Sequence, residues 1–252
     1  MLITPSAIVE QSFGFYKKHW RHMLPYMGLT FLPTVIIQLL GVTSLYLFAI
    51  VPSLTLTSKI IMVAVLAATF VFDIWISIAM ARATKSLLLS ETNAENWLEI
   101  FSNSSHLIWP AFITSLLVIL AVFTGLILLV IPGIIFTGWY FFAYYLTIIE
   151  NKKGFDALRE SKRMVTGRWW ALAYRLIAPS LVFFLIGVAL RYIATGPLGY
   201  LPFGQFYLLI AQGTVATIIN VLMMPLFYSA GMLLFLSAKS TPISAPTQPA
   251  SL

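Results

Sequence analysis

The sequence is poor in charged residues and contains no cysteine. Asp, Glu, Lys and Arg together make up 9% of its 252 residues, whereas soluble domains contain about 25%. This composition excludes a soluble globular protein, because too few polar side chains remain to cover its surface, and the 60% hydrophobic content excludes a disordered chain. The missing cysteines exclude disulfides, thiolate metal ligands, cysteine nucleophiles and palmitoylation. The abundance of apolar residues instead predicts an all-α, polytopic membrane protein.

Six apolar stretches are long enough to cross the hydrocarbon core, which takes roughly 20 helical residues. The third and fourth meet at Ile131, Pro132 and Gly133, which predict a tight hairpin because proline cannot continue a helix and glycine accommodates a turn. The alternative, one kinked helix through both stretches, would be too long for a single crossing. The residues before the first stretch are too polar for a signal peptide, so we expect that stretch to remain as an uncleaved anchor. The six predicted spans are 24–51, 60–81, 107–130, 133–150, 170–193 and 205–236.

Lysine and arginine are distributed unevenly between the two ends of these spans. Twelve of the 15 lie near the N-terminus, in the loops 82–106 and 151–168, or after the last span. Lys59 and Arg191 lie on the opposite side, and Arg175 lies within a span. Cytoplasmic loops of membrane proteins carry the excess of positive charge, so this distribution places both termini in the cytoplasm.

Short amphipathic helices are predicted before three of the spans, on the cytoplasmic side. The first begins at Thr4, a good N-cap, which is followed by Pro5 at the first helical position. The second begins with Thr92 and Glu95, which have the spacing of a capping box. The third covers residues 155–169, where Phe155, Leu158, Val165 and Trp169 form one apolar stripe and charged residues occupy the other side of the helix. We expect these helices to lie at the membrane surface.

The three helices share a spacing of ten residues between a charged residue and a tryptophan, as between Glu10 and Trp20. This spacing indicates three copies of an interfacial helix followed by two spans, within one transmembrane domain of residues 1–239. The alternative is that tryptophan marks each membrane interface independently. Residues 240–252 carry no charge and are rich in Ser, Thr, Pro and Ala, so we predict a disordered tail. The proposed repeats are residues 5–85, 92–150 and 154–238.

Asp73 is the leading candidate for a functional residue. It lies about 13 Å from the cytoplasmic end of its span, since nine residues separate it from Arg82 and a helix rises about 1.5 Å per residue. Thr69 and Ser77 lie four residues away on either side and extend one polar stripe. An ionised Asp at such a depth costs about 2.5–3.5 kcal/mol. The stripe is therefore either a proton relay, ion or substrate contact, or a structural hydrogen-bonded group.

Arg175 and Asn220 complete the candidate polar site within the membrane. Arg175 lies roughly 9 Å below the same interface, a depth that permits either a pair with Asp73 or extension of the guanidinium to lipid phosphates. Asn220 and Gln38 lie in other spans. Polar residues of this kind form interhelical hydrogen bonds or, in kinked helices, the binding sites of transporters.

No catalytic, cofactor or metal site is predicted. His19 and His22 share a helix face, but no carboxylate or third ligand accompanies them in the sequence. The chain lacks a Gly-rich phosphate loop, a nucleophile elbow and a pair of catalytic carboxylates. The basic cluster before the fifth span lies between two spans, so it predicts contact with anionic phospholipid on the cytoplasmic side rather than with nucleic acid. The candidate lipid contacts are Lys152, Lys153, Arg159, Lys162, Arg163 and Arg168.

A resemblance to the YciC family of bacterial inner-membrane proteins is carried by the stretch LLVIPGIIFTGWYFFAYYLTIIENKKGFDALRESKRMVTGRWWALAYRLIAPSLV. The chain also resembles the membrane domain of some glycerophosphoryl diester phosphodiesterases, whose chemistry resides in a separate soluble domain that these 252 residues do not contain. The resemblance implies a multi-pass protein of the bacterial cytoplasmic membrane without assigned catalytic residues. The residues that match the family motif are Pro132, Gly133, Ala157, Leu158, Arg159 and Ser161.

Two functions remain open at this stage. The first is a non-enzymatic envelope accessory protein that acts through membrane lipids or a protein partner. The alternative is a small transporter for a lipid or hydrophobic solute that uses the polar stripe around Asp73. An intramembrane enzyme is the least favoured, because no base–nucleophile pair is recognisable.

Overall fold

Helices account for nearly all of the structure. The computed structural model describes residues 2–50, 56–89, 96–202 and 204–241, and no strand occurs within those ranges. Six helical segments of this part of the chain are long and apolar enough to cross a membrane, which confirms the predicted all-α architecture and the number of spans. The α-helices are α1 (Pro5–Ile50), α2 (Leu56–Leu89), α3 (Trp97–Ser102), α4 (Ile108–Leu128), α5 (Val130–Tyr140), α6 (Ala143–Glu150), α7 (Phe155–Val165), α8 (Trp169–Thr195) and α9 (Gln205–Ser240).

The first helix begins as predicted but is not a separate interfacial helix. The Thr4 hydroxyl accepts a hydrogen bond from the Ala7 N–H at 3.3 Å, and Pro5 is the first helical residue. The polar N-terminal segment then continues without interruption into the first span, so both belong to α1. Pro25 and Pro33 lie inside this helix. Helix interiors in membranes tolerate proline where neighbouring groups satisfy the freed carbonyl oxygens.

The hairpin between the third and fourth spans turns three residues earlier than predicted. Leu129 has extended backbone angles, φ −165° and ψ 151°, and separates α4 from α5. Pro132 lies in the first turn of α5, where its missing N–H would have had no helical partner. Gly133 instead allows close packing, since a Cβ atom there would lie 3.0 Å from the backbone nitrogen of Leu126. The hairpin is therefore correct, but its turn was placed at the wrong residues.

The fourth span consists of two helices rather than the one continuous segment 133–150 that the sequence suggests. Helix α5 ends at Tyr140 and α6 begins at Ala143. Two turn residues, Phe141 and Phe142, separate them. Their aromatic side chains gave no indication of a break, because neither proline nor glycine is present between the two helices.

Helix α7 packs against the protein itself. It follows a turn in which Asn151 takes up the left-handed helical conformation (φ 56°, ψ 20°). Gly154 in the same turn combines a positive φ of 51° with ψ −122°, which glycine adopts without strain because it has no Cβ atom. Leu158 and Val165, which the sequence assigns to the apolar stripe, are buried where α7 contacts α5 and α6. Phe155, assigned to the same stripe, is 70% exposed. The amphipathic pattern of α7 therefore reflects its packing on α5 and α6, and it is also compatible with contact with a membrane.

The described residues form two compact units. Unit 1 comprises the described residues of Met1–Gln11, Trp109–Pro179 and Ala230–Leu252, and unit 2 comprises those of Ser12–Ile108 and Ser180–Ser229. The core of unit 1 includes aromatic contacts of Phe235 with Phe142 and Tyr145. The core of unit 2 contains buried residues from α1, α2, α3 and α9: Phe15, Met23, Tyr26, Met27, Ala79, Met80, Ala83, Leu87, Ile100 and Val221.

Some predictions concern residues outside the described ranges. Thr92 and Glu95, the predicted capping box, are among these residues, and the described part of the second short helix begins at Trp97 with Asn96 as its N-cap. Residues 242–252 of the predicted tail also lie outside. The single domain of residues 1–239 and its three-fold repeat stay predictions.

Candidate functional site

Asp73 lines a pocket within unit 2, between α1, α2 and α9. The pocket has a volume of about 360 Å³. Its polar lining consists of Asp73 and Ser77 from α2, Thr30 and Thr34 from α1, and Tyr228 from α9. No lysine, arginine or histidine is among the described residues that line it. The apolar lining consists of Phe70, Ile74, Ile76, Met80 and Met224.

One oxygen of the Asp73 carboxylate has no hydrogen-bond partner. Oδ1 is buried, and no donor among the described residues reaches it. Ser77, one helical turn further along α2, is hydrogen-bonded to the hydroxyl of Tyr228, and Asp73 lies close enough to Tyr228 to interact with it electrostatically. Buried polar atoms in proteins are almost always hydrogen-bonded, so an unpartnered carboxylate oxygen beside a cavity indicates a group that the protein alone does not satisfy.

The hydroxyl groups around Asp73 direct their protons to the backbone. Thr30 Oγ1 donates to the carbonyl of Tyr26 at 2.9 Å, and Thr34 Oγ1 donates to the carbonyl of Thr30 at 2.8 Å. Ser77 Oγ donates to the carbonyl of Ile74 at 2.7 Å. Side-chain bonds of this kind to a preceding turn are common for serine and threonine inside helices. Each of these hydroxyls consequently offers only its oxygen lone pairs to the pocket.

The structure places only part of the predicted polar site in this pocket. Asp73 and Ser77 line it together, whereas Thr69 does not line it and donates to the Val65 carbonyl of its own helix at 3.0 Å. Asn220 accepts a hydrogen bond from Arg191 Nη2 at 3.1 Å. The polar stripe along α2 is therefore shorter than the sequence suggested.

Arg175 belongs to unit 1 and is held there by backbone carbonyls. Its Nε donates to Ile3 and its Nη1 donates to Ala171, both at 2.8 Å. The Ile3 N–H in turn donates to Ser237 Oγ at 2.8 Å, so Arg175 and Ser237 together fix the N-terminal residues against α8 and α9. Pairing of Arg175 with Asp73 stays a hypothesis.

Four pocket residues outside α2 were not predicted from the sequence: Thr30, Thr34, Met224 and Tyr228. They lie on α1 and α9, far from Asp73 along the chain. A single sequence carries no signal for such contacts between helices, because polar or flexible residues at these positions are equally compatible with lipid-facing or core positions. For Gln38 the sequence predicted an interhelical hydrogen bond but not its partners. In the structure Gln38 donates to the Ile210 carbonyl at 3.0 Å and accepts from Thr217 at 3.2 Å.

The basic cluster around α7 is largely engaged within unit 1. Arg168 donates to the carbonyls of Ala238 at 2.6 Å and Thr241 at 2.7 Å, and so caps the C-terminal end of α9. Lys162 lies 4.3 Å from the centre of the Trp139 ring. The side chains of Lys153 and Arg159 are exposed and make no ion pair or hydrogen bond with a described residue.

Glu160 forms ion pairs with two further members of the cluster, Lys152 and Arg163. It lies 2.6 Å from Arg163 and 3.5 Å from Lys152, measured between side-chain nitrogen and carboxylate oxygen. Partial burial by itself raises the pKa of Glu160, but the hydrogen bond from Arg163 and the positive charges of Lys152 and Arg163 outweigh it and hold the pKa below its usual value. Four of the six side chains predicted to contact lipid thus interact with groups of the protein itself.

Ser161, one of the residues on which the predicted family resemblance depends, joins the two halves of the fourth span. Its hydroxyl donates to the Trp139 carbonyl at 2.6 Å and accepts from the Phe142 N–H at 3.1 Å. These are the backbone groups that the break between α5 and α6 would otherwise leave unpaired. Ala157, one turn earlier and fully buried, brings α7 close to this break. The motif positions Ala157 and Ser161 therefore have a structural explanation, whereas Arg159 is exposed.

No metal centre is assembled in the described part of the chain. The rings of His19 and His22 have centroids 6.0 Å apart, and no group of three His, Asp or Glu side chains suited to a metal ion occurs among the described residues. In comparisons with known proteins, no family model, curated protein or solved structure matches the chain. The functional assignment therefore rests on the geometry of the polar groups.

Proposed function

We propose that the protein is a non-enzymatic, multi-pass membrane protein that binds and transports a small, largely apolar solute through the Asp73 pocket. The six apolar helices are compatible with an integral membrane protein. The observation that carries the proposal is the buried Asp73 oxygen without a donor, placed in the wall of a cavity rather than within packed side chains.

An uncompensated carboxylate within a membrane span is energetically unfavourable. Placing an ionised Asp at the centre of a membrane helix costs about 2.5–3.5 kcal/mol on insertion scales. Unit 1 shows how this chain satisfies a polar group for structural purposes, since Ser161 and Arg175 are bonded to backbone atoms. Asp73 has no comparable structural use, which supports a role in binding.

The proposed location is the bacterial cytoplasmic membrane, with both termini inside, and membership of the YciC family is part of the same proposal. The excess of lysine and arginine near the termini and in two loops supports this orientation. Single cysteines introduced into this cysteine-free chain at positions 56 and 160 would test it. We expect a membrane-impermeant maleimide added from the periplasm to label position 56 only, and labelling of position 160 would reverse the orientation.

The solute-binding proposal is tested by filling the pocket. Ser77→Leu places a bulky side chain in the pocket wall, and Thr69→Leu makes a similar change on the same helix outside the lining. We expect mass spectrometry of the purified proteins to detect a bound small molecule in wild type and in Thr69→Leu but not in Ser77→Leu. Recovery of membrane phospholipid alone from all three proteins would contradict the proposal.

A second candidate function is action through anionic lipid or a protein partner as an envelope accessory protein. It is favoured by one observation, the exposed group of Lys153, Phe155 and Arg159 on unit 1. Basic side chains near an anionic surface contribute about 1 kcal/mol each, and an exposed phenylalanine can enter the headgroup region. Native mass spectrometry with phosphatidylglycerol should then show fewer bound lipids for the double variant Lys153→Gln with Arg159→Gln than for wild type.

A further inference from the structure

The Asp73 pocket is rich in hydrogen-bond acceptors and has no free donor among the described residues that line it. The protons of Thr30, Thr34 and Ser77 are bonded to backbone carbonyls. Ser77 is also hydrogen-bonded to the Tyr228 hydroxyl, and because the Ser77 proton lies on the Ile74 carbonyl, the Tyr228 hydroxyl can donate its own proton to the Ser77 oxygen. Backbone N–H groups within helices are bonded inside their own helix. What remains for a ligand is the Asp73 carboxylate and the lone pairs of the hydroxyls.

From this arrangement we propose that the ligand is a protonated amine with an apolar body, and that its ammonium group binds Asp73. This inference rests on the proposed solute-binding function and adds the class of solute. A ligand carrying a carboxylate or phosphate would find no donor and would be repelled by Asp73. An alkylammonium supplies the N–H donors that the pocket lacks and a positive charge that balances the negative charge of the Asp73 carboxylate.

The rest of the lining fits the carbon skeleton of such a ligand. Phe70 and Tyr228 supply aromatic rings, which attract cations through their faces. Met80 and Met224 supply flexible, polarisable thioethers that adapt to an irregular apolar shape. A volume of about 360 Å³ lies at the small end of ligand pockets, which span about 300–1,000 Å³. The pocket is therefore of a size for a small organic cation.

The test compares three ligands that share a six-carbon chain and differ in charge: n-hexylamine, hexan-1-ol and hexanoate. Their binding is measured on the full chain in an uncharged detergent near pH 7, where an alkylamine is protonated. We expect hexylammonium to bind roughly tenfold more tightly than hexan-1-ol, the effect of one charge-assisted hydrogen bond, and hexanoate to bind most weakly. Each probe partitions into the detergent micelle equally for every variant of the protein. This contribution therefore cancels when the ratio of amine to alcohol binding is compared between variants.

Asp73→Asn should bind hexylammonium and hexan-1-ol with affinities within a factor of about two. The matched control is Asp156→Asn, the same change at an exposed position on α7, and it should retain the wild-type preference for the amine. Equal binding of amine and alcohol to wild type, or an unchanged preference in Asp73→Asn, would overturn the assignment of the ligand class.

The pocket-filling variant separates this outcome from failure of the proposed function. If Ser77→Leu abolishes binding of hexan-1-ol while wild type shows no preference for the amine, the pocket binds solutes but the amine proposal is wrong. If Ser77→Leu leaves the binding of all three probes unchanged, the pocket is not the binding site, and both proposals are wrong.

Discussion

Three polar side chains of unit 1 differ from Asp73 of unit 2 in how fully their hydrogen bonds are satisfied. In unit 1, Ser161, Arg168 and Arg175 each bond to backbone groups at helix breaks or ends. In unit 2, Asp73 presents a buried oxygen without a partner to a cavity. A polar group that satisfies the backbone stabilises the fold, whereas a buried carboxylate oxygen that is left unsatisfied beside a cavity contributes no such stability. This difference supports a structural role for the first set and the proposed binding role of Asp73.

The largest effect is expected from the close packing of glycine in unit 1. An added Cβ at Gly133 would meet the Leu126 side chain and lie 3.0 Å from the Leu126 backbone nitrogen, whereas an added Cβ at Gly28 in unit 2 would have nothing within 4 Å. We expect Gly133→Ala to lower the free energy of unfolding in detergent by about 1–3 kcal/mol. Gly28→Ala is the control and should be neutral or slightly stabilising, since alanine favours helix. Equal effects of the two changes would show that α4 and α5 do not pack closely at this point.

The second prediction compares two fully buried serines, Ser161 in unit 1 and Ser12 in unit 2. Ser161→Ala removes both hydrogen bonds at the break between α5 and α6 and should lower the free energy of unfolding by about 2 kcal/mol. The hydroxyl of Ser12 has no partner among the described residues, so Ser12→Ala should leave stability unchanged or raise it. Chemical denaturation of both variants in detergent measures the difference. A larger loss for Ser12→Ala would refute the structural role given to Ser161.

A smaller effect is expected from the ion pairs of Glu160. Because its pKa is lower in the folded protein than in the unfolded chain, these pairs stabilise the fold above the ordinary glutamate pKa. Their contribution should disappear as the pH falls through the lowered folded pKa. The pairs are partly exposed, so the loss should stay below about 1 kcal/mol. Melting temperatures of wild type and Glu160→Gln, measured between neutral and acidic pH, should converge at acidic pH, and a constant offset between them would contradict this expectation.

The smallest effect is expected for coupling between Asp73 and Arg175. Arg175 is already bonded to the carbonyls of Ile3 and Ala171, so we expect it to act independently of Asp73. In a double-mutant cycle of Asp73→Asn and Arg175→Gln, the coupling energy measured by unfolding in detergent should stay below about 0.5 kcal/mol. A coupling energy of several kcal/mol would identify a structural ion pair and remove the argument for binding at Asp73.

Local patterns in the sequence predicted much of the fold. Thr4 and Pro5 marked the start of α1, and the apolar stretches marked six spans, because capping and burial in lipid depend on residues close together in the chain. The break at Phe141 and Phe142 was not predictable, since the group that stabilises it, Ser161, lies on another helix. The face of α7 shows the same limit, because its apolar residues fit equally well against lipid or against α5 and α6.

The candidate site likewise has features that the sequence predicted and features that only the tertiary structure revealed. The sequence alone was sufficient to single out Asp73, because an ionisable residue within an apolar span is unfavourable whichever helices pack against that span. Only the tertiary structure decided that Thr30, Thr34, Met224 and Tyr228 surround it while Thr69, Asn220 and Arg175 have other partners. The physical reason is that hydrophobicity and helix propensity act along one segment, whereas the partners of a polar group depend on which helix faces are brought together. Several different packings can bury the same apolar residues, but each leaves a different set of polar atoms unsatisfied.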